Sequence, residues 1–240
     1  MLASSTAMRE AVAAPQRLAR TRPSQATTIY HALREELVSV SRLPGSLISE
    51  ATIAQAYRVS RTPVREALLK LADEGLVDIV PQSGTRAARI PVSSLPEAIL
   101  IRRALEETTA RRAAERASVP DVKALREIVA TQRLAMTKND RNAFHEADEE
   151  FHSKVASIAG HPGIWRLIQS VKLQVDRYRR LTLPQKGRLQ RVIREHGRVI
   201  AAIAQQDGDS SAEAMGTHLD GLMSDIAATR ALNPEYFDAN

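Results

Sequence analysis

Residues 60–68, SRTPVREAL, decide how this chain is read. Ser60 stands where a helix opens, and its hydroxyl is suited to accept from the orphan N–H groups of a first turn. Pro63 falls inside that turn, where a missing donor costs nothing. From there Val64, Ala67, Leu68 and Leu71 keep to one helical face, while Arg61, Thr62, Arg65 and Lys70 project elsewhere. One face is built to pack and the other is left for solvent or a partner.

The flanking residues supply a frame. Thr52 to Ala56 has helical spacing and Tyr57 to Val59 fills a tight turn, so two helices follow each other closely. Gly75 ends the second. Leu76–Val80 and Arg86–Ile90 read as short strands joined by Pro81-Gln82-Ser83-Gly84-Thr85, a hairpin wing beside a helix-turn-helix. Arg61 and Arg65 then match guanine edges or phosphates in a major groove, and hydroxyls such as Thr62 fit the same two roles. An ordinary amphipathic helix with solvated arginines is the plainer reading of SRTPVREAL alone; helix, turn, helix and wing in order favour DNA binding.

This stretch resembles the winged helix of the GntR family of bacterial transcription regulators, from about Ala26 to Ile90. The resemblance rests on Leu43-Pro44-Gly45, on Leu47-Ile48-Ser49-Glu50, on SRTPVREAL, and on Leu71 with Asp73-Glu74-Gly75-Leu76-Val77. DNA contacts are expected from Ser60, Arg61, Thr62, Arg65 and the wing at Gly84, and a different one from Arg58. Two departures stand out: Ala51 and Thr52 occupy positions where many relatives carry a DNA-touching Arg, and Arg58 holds a turn position usually given to Gly.

Composition agrees. Lys and Arg exceed Asp and Glu by 34 to 28, and residues 1–90 hold 12 basic against 8 acidic groups, a modest excess that suits a polyanion partner. Cysteine is absent, which excludes disulfides, thiolate metal sites and a thiol nucleophile and suits the cytoplasm. No apolar run approaches the roughly 18 residues a bilayer span requires, so no membrane partner is expected. Residues 1–23 read as a flexible basic arm, 24–90 as the winged helix, 91–94 as a linker, 95–232 as a helical domain and 233–240 as a tail. The fold expected is mainly α: three helices and a β-hairpin wing, then an all-α six-helix bundle punctuated at Pro96, Pro120, Asn139-Asp140, His161-Pro162-Gly163, Leu183-Pro184 and Asp207-Gly208-Asp209.

The bundle carries a ligand pattern. Phe144, Asp148, His152 and Val155 share one helical stripe, Val192, His196, Val199 and Ile203 a second, and Met215, His218, Leu222 and Ile226 a third. Each histidine occupies a core position. One carboxylate and three imidazoles converging from three helices suit one divalent ion per subunit, zinc or nickel, or manganese given the carboxylate. A buried histidine taken singly is more often a satisfied core residue; the set points to a metal. His31, His145 and His161 are set aside, the last as a helix cap.

These residues, in Asp148-Glu149-Glu150-Phe151-His152, Glu195-His196 and Thr217-His218-Leu219, resemble the FCD-type ligand-binding domain of the FadR-like GntR branch, in which Asp and three His often surround a metal. The ending Asn233-Pro234-Glu235-Tyr236-Phe237 is similar to the VanR-like six-helix subgroup. Arg102 opens Arg102-x-x-Leu105-Glu106 on the face of Ala98, Leu105 and Thr109, and the resemblance implies that it meets the carboxylate of an effector. Glu106, four residues on, can satisfy it as a structural ion pair instead. Arg103, one position off, faces solvent.

The reading is a homodimeric repressor without enzymatic activity, bound to palindromic half-sites of double-stranded operator DNA and controlled by a small carboxylate. Its rivals are a metal-dependent hydrolase or lyase with an accessory DNA-binding domain, and an architectural DNA-binding protein with a structural metal. His-Glu-x-x-His and nucleophile motifs are missing, which weighs against the enzyme.

Overall fold

The computed structural model describes residues 23–182, 185, 187–223 and 226–238. The arm expected over residues 1–23 lies, Pro23 apart, outside them.

The winged helix is built from α1 (Gln25–Val38), β1 (Leu47–Ile48), α2 (Glu50–Tyr57), α3 (Arg61–Asp73), β2 (Val77–Val80) and β3 (Gly84–Ala87). Ser24 caps α1 by accepting from the Thr27 amide at 3.1 Å, and Ser49 caps α2 from Thr52 at 3.2 Å. Ile29, Leu33 and Leu37 of α1 meet Val64, Leu68 and Leu71 of α3 in one core, each burial contributing roughly 1.5–3 kcal/mol. Gly75 has φ +67, the left-handed conformation that lets the chain leave α3 and enter β2.

The wing differs from its sequence reading. Its second strand is Gly84–Ala87 rather than Arg86–Ile90, in register Val77 to Ala87 and Val80 to Gly84. The Ala88 amide still donates across the hairpin to the Leu76 carbonyl at 2.9 Å, and beyond it the backbone leaves: Ile90 donates to the Tyr236 carbonyl at 2.9 Å and pairs in parallel with Phe237. A third strand that sequence periodicity cannot show in two residues, β1, adds to β3, giving the order β1-β3-β2.

Val92–Ser94 forms one 3-10 turn and leads into the helical domain: α4 (Leu95–Arg116), α5 (Val119–Thr137), α6 (Arg141–Ile158), α7 (Pro162–Val171), α8 (Leu173–Thr182), α9 (Arg188–Ala204), α10 (Gly208–Asp220) and α11 (Ile226–Leu232). All six apolar segments are helical, and two are divided, at Lys172 and after Asp220. At the first break Trp165 and Ile168 of α7 pack on Ala156 of α6, while Leu173 of α8 turns to the winged-helix core. The second break takes Ile226 off the Met215–His218–Leu222 stripe and into α11. Helices α4, α5, α6, α9 and α10 enclose the main core, including Phe144, Phe151, Val192, Ile203 and Met215.

Helix α8 also joins the two parts. Gln174 Nε2 donates to the Gly75 carbonyl at 3.1 Å, and Arg177 donates to Gln174 Oε1 at 2.9 Å and to the Ala88 carbonyl. Residues 234–238 do not trail away as a tail. Pro234–Tyr236 is a 3-10 turn, and Asp238 Oδ1 accepts from the Val92 amide at 3.1 Å. Among the described residues no helix is long and apolar enough to cross a membrane.

Candidate metal centre and nucleic-acid interface

Asp148 and His152 lie one turn apart on α6, His196 projects from α9 and His218 from α10, and all four are at most 3% exposed. One donor atom from each falls within 4.8 Å of the others. His196 Nε2 is 3.3 Å from His218 Nε2 and 3.7 Å from Asp148 Oδ1, and His152 Nε2 is 3.8 Å from Asp148 Oδ2. Four ligands at about 2.1 Å from one ion stand about 3.0–3.4 Å apart, so the His196–His218 pair is already at ligating separation and the other donors must draw in to close the set.

The other side of each ring meets an acceptor. His196 Nδ1 donates to Gln132 Oε1 at 2.9 Å, His218 Nδ1 to Glu195 Oε2 at 2.8 Å, and His152 Nδ1 faces Glu106 Oε2 in direct contact. Protons held on Nδ1 of His196 and His218 leave their Nε2 lone pairs facing each other, with a donor atom of His152 close by. Lone pairs 3.3 Å apart with no proton between them repel, and a cation relieves that. His152 Nε2 and Asp148 Oδ1 have no hydrogen-bond partner among the described residues. These residues fit a borderline divalent ion such as zinc or nickel.

Charge follows burial. Desolvation, reinforced by the neighbouring His218, pushes the His196 imidazole well below its ordinary range, and desolvation also lowers His218. Burial alone would raise the Asp148 carboxyl, yet Arg179 and the three imidazoles hold it well below the usual carboxylate range. Neutral imidazoles and an ionised carboxylate are the ligating forms.

Arg102 is fully buried, and its Nε lies 2.7 Å from Glu106 Oε1, so the internal ion pair is formed. Its Nη1 and Nη2 have no hydrogen-bond partner among the described residues, which leaves two guanidinium donors for a ligand. Arg103 is exposed and pairs with Glu107 at 2.6 Å and Asp220 at 2.7 Å. His31 is exposed on α1. His161 occupies the N-cap position of α7 but forms no side-chain cap bond, so the capping role expected of it is not seen. His145 lies outside the four, in a separate buried group with Glu149 and Asp176. Burial, then Arg179 and Arg180, push its imidazole down to about 3. Sequence reading missed Arg179 of α8, whose Nη2 sits 2.5 Å from Asp148 Oδ2, and also the Gln132, Glu106 and Glu195 anchors. Gln132 was discoverable, as a polar residue on the buried stripe of Leu125, Val129 and Ala135.

At the other end of the molecule, Arg61, Thr62 and Arg65 are exposed on α3 while Val64, Ala67, Leu68 and Leu71 are buried. Arg65 Nε pairs with Glu50 Oε2 at 2.9 Å, and at 62% exposure that pair is open to exchange with a phosphate or base. Ser60 is the N-cap of α3 but its hydroxyl makes no cap bond, contrary to expectation; it is exposed beside first-turn N–H groups, an arrangement suited to a phosphate. Arg58 takes the left-handed conformation, φ 54 and ψ 46, at the end of α2, which accounts for the glycine usual there and leaves its side chain exposed. Gly84, φ +90, opens β3 at the wing tip.

Comparison with known proteins identifies both parts of the chain. Residues 25–86 match the model for bacterial regulatory proteins of the gntR family, and residues 97–221 match the FCD domain. The chain is 32% identical over 209 residues to the HTH-type transcriptional repressor RspR of Escherichia coli K12, spanning 87% of this chain and 92% of that protein. It is 26% identical over 182 residues to the Nta operon transcriptional regulator of Aminobacter aminovorans, 76% of this chain and 85% of that one. A putative GntR transcriptional regulator from Rhodococcus sp. RHA1 shares the fold, with TM-score 0.71, 22% identity and coverage of 86% of this chain and 99% of that one. So does McbR/YncC of E. coli, with TM-score 0.68, 19% identity and coverage of 88% and 99%.

Proposed function

The chain belongs to the gntR family of bacterial regulatory proteins, with an FCD domain behind its winged helix, and from that premise we propose a metal-containing, acid-responsive repressor. That it is a transcription regulator follows from the family and the relatives, which are regulators and not enzymes. In our reading it works in the cytoplasm as a homodimer. Two α3 helices, led by Arg61 and Arg65, enter successive major grooves of a palindromic operator, with Arg58, Ser60, Thr62 and Gly84 positioning them on phosphates. The natural division puts the linker at residues 91–94.

Asp148, His152, His196 and His218 hold one divalent ion per subunit, with zinc or nickel favoured and manganese a further fit. The observation that carries this is the convergence of Asp148 and three buried imidazoles, two of them held through Nδ1 by Gln132 and Glu195. A bound ion supplies a Lewis-acidic position for a carboxylate. The two unpartnered Nη groups of Arg102 support its role as a clamp on that small organic acid. Helix α8 offers a route to the DNA, since it carries Arg179 against Asp148 and Gln174 and Arg177 against Gly75 and Ala88. Effector binding then shifts the two winged helices so that both half-sites are no longer met together.

Elemental analysis of protein reconstituted with zinc and desalted tests the metal. One ion per chain is expected, lost in His196→Ala and kept in His145→Ala. Metal-free wild type, or equal loss in the two variants, would overturn it.

A further inference from the structure

A cleft of about 630 Å³ lies along the seam between the winged helix and the helical domain, and none of the four candidate metal ligands lines it. Ser39, Val40 and Leu43 form its winged-helix wall. The helical domain supplies Arg141 and Asn142 from the start of α6 and Arg180 from α8, and Gln185 donates to Thr229 of α11 at 2.9 Å to tie down another side. Tyr236 completes the lining from the turn whose carbonyl receives the Ile90 amide. The winged-helix wall is held in a strained form. Val40, β-branched and 8% exposed, sits at φ 59 in the left-handed region, which such a residue adopts only at a cost.

Charge in this cleft has one sign. Among the described residues that line it, the only ionised side chains are Arg141 and Arg180, and neither forms an ion pair among the described residues. Arg180 is half-buried; its Nη1 donates to Asn142 Oδ1 at 2.5 Å and its Nε is buried without a hydrogen-bond partner. Asp176, one turn back on α8, is taken by Lys172. Burial pushes the Arg180 guanidinium below its ordinary range, and an anion beside it offsets that cost. Since Asn142 directly follows Arg141, its bond to Arg180 puts both arginines at one end of the cleft. Two guanidiniums suit a dianion, and a phosphate monoester carries nearly two charges near neutrality on three acceptor oxygens. The remaining polar lining is neutral, hydroxyls and amides such as Ser39, Gln185 and Asn233, which matches a body rich in hydroxyls. The volume accommodates far more than inorganic phosphate. We infer that this cleft binds a small phosphorylated polyhydroxy compound, its phosphate held by Arg141 and Arg180. Bound there, it touches the winged helix and the helical domain together and favours the arrangement in which both walls meet it. The site needs no metal and does not rest on the metal reading above.

The test uses the full chain, stripped of metal by a chelator, at about pH 7.5, where a phosphate monoester is mostly dianionic. The probes are glucose 6-phosphate, ribose 5-phosphate and glycerol 3-phosphate, titrated calorimetrically against inorganic phosphate and glucose. At least one ester binds about tenfold or more tightly than inorganic phosphate, and glucose gives no measurable binding. Arg141→Gln and Arg180→Gln each weaken that ester by about tenfold or more. Arg141 is exposed, so its replacement serves if the Arg180 variant fails to fold. With the ester at saturation, hydrogen exchange slows at residues 39–43 and 233–236 together. Esters that bind no better than inorganic phosphate, affinity unchanged in both variants, or protection confined to the helical bundle overturns the inference. Binding that appears only after zinc is restored also overturns it, because the ester then sits at the metal centre.

Discussion

Gln132→Leu separates a metal centre from a merely well-packed cluster of histidines. Gln132 is fully buried and its Oε1 accepts from His196 Nδ1 at 2.9 Å, which fixes the tautomer whose Nε2 lone pair points at the centre. Leucine has a similar volume, so the core around it stays filled. Without the acceptor, the imidazole can move its proton to Nε2. There it lies 3.3 Å from His218 Nε2, within reach of a hydrogen bond that stabilises the metal-free state and removes one ligand lone pair. Loss of an outer partner of this kind typically weakens metal binding about 10- to 100-fold, equivalent to about 1.4–2.7 kcal/mol. Zinc affinity can be measured by competition with a chromophoric chelator, checked by fluorescence of Trp165, the sole tryptophan, whose ring stacks on His152 with centroids 5.9 Å apart. Unaltered zinc affinity in a folded Gln132→Leu protein would refute the tautomer argument.

Other outcomes follow from the same geometry. Arg61→Ala and Arg65→Ala should each cost roughly 1–3 kcal/mol of operator binding if they read bases, with relaxed discrimination at one position; equal loss on all sequences with a shallower salt slope would assign them to phosphates instead. Arg102→Ala should abolish the operator response to a carboxylate while metal content and basal DNA binding stay near wild type; a retained response at the same carboxylate concentration excludes the clamp. In metal-free protein His145, His196 and His218 have folded-state values below the ordinary imidazole range, so the unfolded chain takes up protons first. Their contribution is complete above the unfolded value of about 6.5 and declines as pH falls below it, by about 1.4 kcal/mol per pH unit per group. Urea unfolding at pH 6.5 and 5 measures this, His145→Gln should lessen the slope by about one group, and a flat profile contradicts it.

The winged helix and the four candidate ligands were legible because their signals are periodic. Val64, Ala67, Leu68 and Leu71 recur at helical spacing, and Asp148 and His152, four apart, must share a face. Arg179 was not legible. It stands in Asp176-Arg177-Tyr178-Arg179-Arg180, where three arginines in four positions look like a solvated run, and only the packing of α8 between the winged helix and α6 turns Arg177 and Arg179 inward. Nor could periodicity find the break at Lys172: a single residue ends α7 and the next begins α8, and what redirects the chain is tertiary, Leu173 against the winged-helix core and Lys172 against Glu149 and Asp176. The shortened wing has the same kind of cause, since Ile90 pairs with Phe237, 147 positions along the sequence. The expected Ser60 cap failed because the Ser60 hydroxyl makes no bond to the first turn, leaving that terminus open to solvent.

In the proposed function a carboxylate acts through the metal to weaken DNA binding. The direct measurement is an operator titration at fixed salt, with zinc-loaded and chelator-stripped protein, in the presence and absence of the best small carboxylate from a thermal-shift screen. The loaded protein should lose operator affinity by about 5- to 150-fold, a coupling of ~1–3 kcal/mol, and the stripped protein should not respond. An equal response from stripped protein, or none from loaded protein that demonstrably binds the acid, would contradict it.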